Sequence, residues 1–207
     1  MPLHQLRAVT ARTGVDHLVR LRKSHAAYEG LPLIAGHHLG LSGHGLAPAR
    51  AAPFRTTLLA TERPHVFPLP DDVVGLVDAL FSGVDRLFHV SDDPVDDVRV
   101  AVFAAFGVTA IHPFDNANGR TAFDFLQLLL MHRHQRATPP FALPSDAHQR
   151  FAALFIACDE PSTSWEPPTL MARSARLAER LRETRLEELR ATAPLEKITQ
   201  TLALVQA

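Results

Sequence analysis

Nine consecutive residues, His112-Pro113-Phe114-Asp115-Asn116-Ala117-Asn118-Gly119-Arg120, bring together the groups needed to handle a phosphate and move a proton. The imidazole of His112, neutral near pH 7, is suited to taking a proton from a hydroxyl. Asn118-Gly119 opens a new apolar segment. If that segment is helical, its first backbone N–H groups, from about Asn116 to Gly119, form a cradle for an anion without any side-chain charge. Gly119 lets the backbone approach closely, and Arg120 adds a planar fork for phosphate oxygens. Phe114 is expected to pack beneath the loop and hold His112 in place. A lone histidine between apolar stretches is by default a structural one. The adjoining Asn-Gly-Arg reverses that default.

The loop has to be positioned by its neighbours, and both are strongly apolar. Upstream, Asp93-Pro94 reads as a helix cap followed by proline at the first helical position, with Asp96 and Asp97 in the first turn. The helix it opens, to about Ala110, is apolar nearly all round, as for a helix surrounded by others. Downstream, Thr121 to Met131 is equally apolar. A helix from Pro70-Asp71-Asp72 carries Val73, Val77, Leu80, Phe81, Val84, Leu87 and Phe88 at helical spacing. Further helices are expected at Gly14–Tyr28, Ser145–Cys158 and Pro168–Thr192, the last with its Arg and Glu residues as a solvated face. Residues Leu31 to Pro70 hold repeated Gly, Pro, Ser and His and read as loops, with short extended pieces at Thr56–Ala60 and His65–Phe67. The expected fold class is all-α, a compact bundle with a small β excursion.

Bulk properties narrow the function. The 207 residues are enough for one domain with a real core or for a domain plus a short accessory element. A net charge of −1 gives no basic field, so neither nucleic acid nor an anionic membrane surface is an expected partner. The single Cys158 allows no internal disulfide, which suits a reducing cytoplasm. Met1 to Thr13 lacks an apolar signal core, and no apolar run is long enough for a membrane helix, so a cytoplasmic location is expected. Among the 12 histidines, His37-His38 and His132/His134 lack the spacing of a helical zinc pair.

The nine-residue loop resembles the signature of the Fic family, written His-X-Phe-X-Asp/Glu-Gly-Asn-Gly/Lys-Arg. The resemblance covers roughly Gly14 to Asp159. It implies a compact Fic-like helical bundle with a β-hairpin flap, formed around Arg55, Val66 and Phe67, that holds the target's backbone beside the site. The chain then divides into an N-terminal helix with a regulatory motif (1–35), a Fic core (36–160) and a C-terminal helical extension (161–207). Most members transfer AMP from ATP to a Tyr, Ser or Thr hydroxyl of another protein. The resemblance therefore implies a nucleotide and a target protein as partners, ATP as donor substrate, Mg²⁺ as cofactor, and AMPylation as the activity. It makes His112 the base, assigns Asn116, Ala117, Asn118, Gly119 and Arg120 to the nucleotide phosphates, and gives Arg120 the departing pyrophosphate.

This chain departs from the pattern in three places. Asn116 stands where the family's acidic Mg²⁺ ligand is usual, and a neutral amide oxygen is a much weaker ligand for a hard cation; Asp115 is one residue early. Ala117 replaces the usual Gly, as in the Doc toxins of this family, which phosphorylate their target. Phe123 replaces the second Arg that pairs with the ATP γ-phosphate. His25-Ala26-Ala27-Tyr28-Glu29-Gly30 is similar to the family's inhibitory motif, with Glu29 as the inhibitory residue, although Phe123 cannot form its usual pair. A helix C-terminus closed by Gly30 explains the same residues. Three readings stay open: AMP transfer, Doc-like phosphotransfer, and a catalytically silent nucleotide- or protein-binding scaffold. The target, the donor base and the oligomeric state, a homo-oligomer included, are not legible.

Overall fold

The computed structural model describes residues 54–59, 66–114, 118–134, 166–193, 195, 196 and 199. The expected helices at Gly14–Tyr28 and Ser145–Cys158, together with Glu29, Asp115, Asn116 and Ala117, lie outside the described residues. Five α-helices are found among the described residues: α1 (Val73–Val90), α2 (Pro94–Ile111), α3 (Asn118–Arg133), α4 (Pro167–Glu183) and α5 (Leu186–Ala191). The all-α expectation holds.

The starts of α1 and α2 fall close to where the sequence suggests, and α2 has a side-chain cap. Pro70–Asp72 form a 3₁₀ turn that leads into α1. Asp93 is extended and its carboxylate accepts from the Val95 N–H at 2.7 Å, with Pro94 at the first helical position. Helix α2 is the centre of the bundle. It packs against α3, α1 and α5, while α1 also carries α4. Every residue of α2 from Val100 to Ile111 is buried. A helix enclosed on all sides needs an apolar surface all round, and burying Phe103 or Phe106 alone contributes about 1.5–3 kcal/mol. From α1, Val73, Leu76, Val77, Leu80, Phe81, Val84 and Leu87 face this core. Helix α3 contributes Phe123 and Phe125, the latter edge-on to Phe81 at 5.2 Å.

Two close approaches fix how α4 and α2 lie on α1. A Cβ built on Gly83 would meet the Leu181 carbonyl oxygen at 1.9 Å, so α1 and α4 touch through backbone at this point. A Cβ on Gly107 would stand 2.4 Å from the Leu80 side chain.

The C-terminal segment corrects the sequence reading in two ways. The expected continuous helix at Pro168–Thr192 is broken at Thr184 and Arg185. Arg86 of α1 explains the break: its guanidinium donates to the carbonyls of Arg182 (2.7 Å) and Thr184 (2.6 Å), satisfying acceptors that the helix end leaves open. The chain can then turn and bury Leu186 and Leu189. Nor are its arginines merely a solvated face. Arg180 lies over the Phe106 ring at 4.6 Å, and Arg190 bonds to the buried carboxylate of Asp96. Asp96 also receives Arg99 at 2.6 Å, and Arg99 donates in turn to both oxygens of Glu196. Asp97, next in line, takes Arg133 of α3 and the Ser91 hydroxyl. The acidic first turn of α2 is thus an ionic junction for α3, α5 and the chain beyond it. The sequence reading gave these carboxylates only a helix-dipole role.

Among the described residues there is no strand. The hairpin expectation rests on one hydrogen bond, from the Phe67 N–H to the Leu59 carbonyl at 3.4 Å, and an isolated bridge residue at Val66. A ladder has little to build on here. Pro68 has no N–H, and Arg55 occupies the carbonyls of Thr57 and Pro68.

Candidate active site

Helix α2 ends at Ile111, and the next residue, His112, adopts the left-handed conformation (φ 51°, ψ 60°) with its N–H still bonded to the Val108 carbonyl. Pro113 favours this stop, because a residue preceding proline is disfavoured in the right-handed helical region. His112 is the one non-glycine with positive φ among the described residues. A non-glycine residue takes that conformation only where its surroundings impose it.

Those surroundings are specific. The His112 ring stacks on Phe67 with centroids 3.9 Å apart and planes 20° from parallel. Its Nδ1 lies 3.2 Å from the Thr109 carbonyl. A carbonyl can only accept, so Nδ1 must carry the proton, and in the neutral ring Nε2 keeps the lone pair. That tautomer is the one a general base needs. Burial, with the Arg55 charge adding to it and the Thr109 hydrogen bond opposing, pushes His112 from its ordinary 6.5 down to about 4. The imidazole is therefore neutral across the physiological range.

Arg55 is buried at 2% exposure and pins the loop. Its Nε donates to the His112 carbonyl at 2.8 Å. One terminal nitrogen donates to Thr57 at 2.9 Å, and the other reaches the carbonyls of Pro68 and Ile111. Its backbone N–H donates to the Pro113 carbonyl at 2.9 Å. Residues 54–59 and 66–69 are thereby tied to the end of α2. Phe114 lies beneath the loop as expected, fully buried and 5.7 Å from the Phe54 ring.

Asn118, the first residue of α3, uses its side chain on the loop. Its Oδ1 accepts from the Phe114 N–H at 2.9 Å, and its Nδ2 donates to the Phe114 carbonyl at 2.7 Å. Both ends of the amide are thus engaged in closing the turn, and the Asn118 backbone N–H at the start of α3 is the group placed for an anion. Gly119 is half-buried in the first turn of α3, and the Arg120 backbone is helical there. Phe123, at the position of the second Arg in the signature, is buried in the apolar core.

The structure therefore gathers His112, Phe67, Arg55, Phe114 and Asn118 around one turn, with the N-terminus of α3 opening from it. Val66 is buried next to Phe67. Sequence reading missed Thr109, although it lies three residues before His112 on the same helical face. It also gave no sign that Arg55 would clasp the His112 carbonyl 57 residues away. Among the described residues no cluster of three His, Cys, Asp or Glu could hold a metal ion, and no helix is long and apolar enough to cross a membrane.

The family model of the Fic/DOC family matches residues 33–130. That stretch contains Arg55, Phe67, helices α1 and α2, and the loop from His112 to Arg120, so the match and the motif resemblance coincide. No curated protein matches the chain. The Fic/DOC match points to transferase activity on proteins.

Proposed function

We propose, taking the Fic/DOC match over residues 33–130 as the premise, that this protein transfers AMP from ATP to a Tyr, Ser or Thr hydroxyl of a target protein. The observation that carries the reading is the state of His112. Its Nδ1 is committed to the Thr109 carbonyl, its ring is braced on Phe67, and its Nε2 lone pair is left for a proton. In the proposed step the target hydroxyl oxygen attacks the α-phosphorus. An O–P bond forms, the bond from phosphorus to the bridging oxygen breaks, and pyrophosphate leaves. The hydroxyl proton passes to His112 Nε2.

The backbone N–H groups at the start of α3, from Asn118 and Gly119, are assigned to the phosphates, and Arg120 to the pyrophosphate charge. The flap role that the resemblance gives Val66 and Phe67 would fall to the segment that carries them, since both side chains are themselves buried and Phe67 braces His112. Mg²⁺ is poorly served by this donor set. Asn116 offers only a neutral amide oxygen, with Asp115 one residue early, so no step is routed through the metal. A cytoplasmic location belongs to the same proposal.

Doc-like phosphotransfer is the second reading, favoured by Ala117 and by the burial of Phe123 where a γ-phosphate partner would stand. Incubating the full chain and a protein mixture with ATP labelled at either the α- or the γ-phosphate separates the two. AMP transfer retains the α-label on protein and loses the γ-label. The reverse pattern establishes phosphotransfer, and no labelling from any nucleotide favours a silent scaffold.

A further inference from the structure

We propose that Arg55 is the positioning residue for His112, fixing the left-handed turn and the ring tautomer that a base at this position requires. The assignment rests on the reading of His112 as a base, but its test does not depend on transfer activity.

The geometry begins at the helix end. Helix α2 leaves its last carbonyls without intrahelical partners, and Pro113 supplies no N–H to the following turn. Arg55 fills that gap from outside, with Nε on the His112 carbonyl at 2.8 Å and a terminal nitrogen 3.5 Å from the Ile111 carbonyl. Its backbone N–H takes the Pro113 carbonyl at 2.9 Å, so three successive carbonyls at the turn are held by one residue. The planar guanidinium matters here. The same fork reaches the Pro68 carbonyl, immediately after Phe67, and Phe67 is the ring on which His112 stacks. Arg55 therefore fixes both faces of the arrangement, the backbone that aims the imidazole and the ring that braces it. A lysine keeps the charge but cannot span these carbonyls in one plane. The Arg55 charge also faces the imidazole and disfavours its protonated form, in the same direction as burial.

The test is an NMR titration of His112, with ring-labelled histidine, in the full-length protein and in Arg55→Lys and Arg55→Met. The spectrum is assigned with His112→Gln, and fold is checked by far-UV circular dichroism. The wild type is expected to show the Nδ1-protonated tautomer and a midpoint at about 4. In Arg55→Met the midpoint rises above the wild-type value, with burial still holding it below the ordinary 6.5, and the tautomer preference is lost. In Arg55→Lys, with the charge kept, the tautomer preference still weakens and the midpoint rises part of the way. A folded variant with wild-type tautomer and midpoint overturns the assignment. So does loss of the cooperative fold in both variants, since Arg55 would then hold the bundle rather than the base. Where label transfer is measurable, kcat falls about 100-fold with KM for the nucleotide little changed, as for a misaimed base. A chain that transfers nothing removes the function proposed above but leaves the titration result standing.

Discussion

The role of Asn118 separates a residue that builds the loop from one that touches its ligand. By resemblance Asn118 contacts phosphate, whereas its amide makes two buried hydrogen bonds to Phe114, at 2.9 and 2.7 Å. Truncation in Asn118→Ala removes both and strands an N–H and a C=O of Phe114 in a site that is about 1% exposed. Each orphaned group costs about 1–3 kcal/mol, and part of that is regained by relaxation and water entry. The expected loss is therefore about 2–4 kcal/mol. Asn118→Asp should be no better. It keeps the acceptor for the Phe114 N–H but sets a carboxylate oxygen against the Phe114 carbonyl where the amide nitrogen now donates. Urea denaturation followed by far-UV circular dichroism, with equal slopes for all three proteins, measures the difference directly. A loss under about 0.5 kcal/mol in both variants would refute the clasp and return the side chain to the phosphate.

Three further outcomes follow from the geometry. Gly83→Ala should destabilise by about 3 kcal/mol, because the added methyl meets a backbone carbonyl oxygen at 1.9 Å and α1 and α4 must separate. Gly75→Ala on the exposed face of the same helix, with nothing within 4 Å, should instead stabilise by about 0.5–1 kcal/mol; the opposite signs are read from paired denaturation curves. His112 gives a signed pH dependence. With its folded pKa at about 4 against 6.5, the unfolded chain binds the extra proton, so this contribution to stability is full above 6.5 and is lost as pH falls from there to about 4. His112→Gln should flatten that limb of a stability-versus-pH curve.

How much of this was legible in sequence depends on the range of the interaction. Asp93-Pro94 announced its helix because capping is local, Pro70-Asp71-Asp72 marked the 3₁₀ turn that leads into α1, and the all-round apolar α2 declared its own burial. The loop from His112 to Arg120 stood out for the same reason, its chemistry lying within one turn of chain. Partners distant in sequence were invisible. Nothing near Arg55 signals the His112 carbonyl, and nothing near Asp96 signals Arg190, 94 residues on. The break at Thr184 was hidden because it depends on Arg86, a residue of another helix. Asn118 was legible in identity but not in use, since an amide at the start of a helix can face a ligand or its own loop.

The most direct test of the central claim is mass spectrometry of the group attached to the acceptor hydroxyl after incubation with ATP, for the wild type and for His112→Ala. An AMP ester is expected with the wild type and none with His112→Ala. A bare phosphate on the acceptor, or the same AMP ester formed without the imidazole, would contradict the claim.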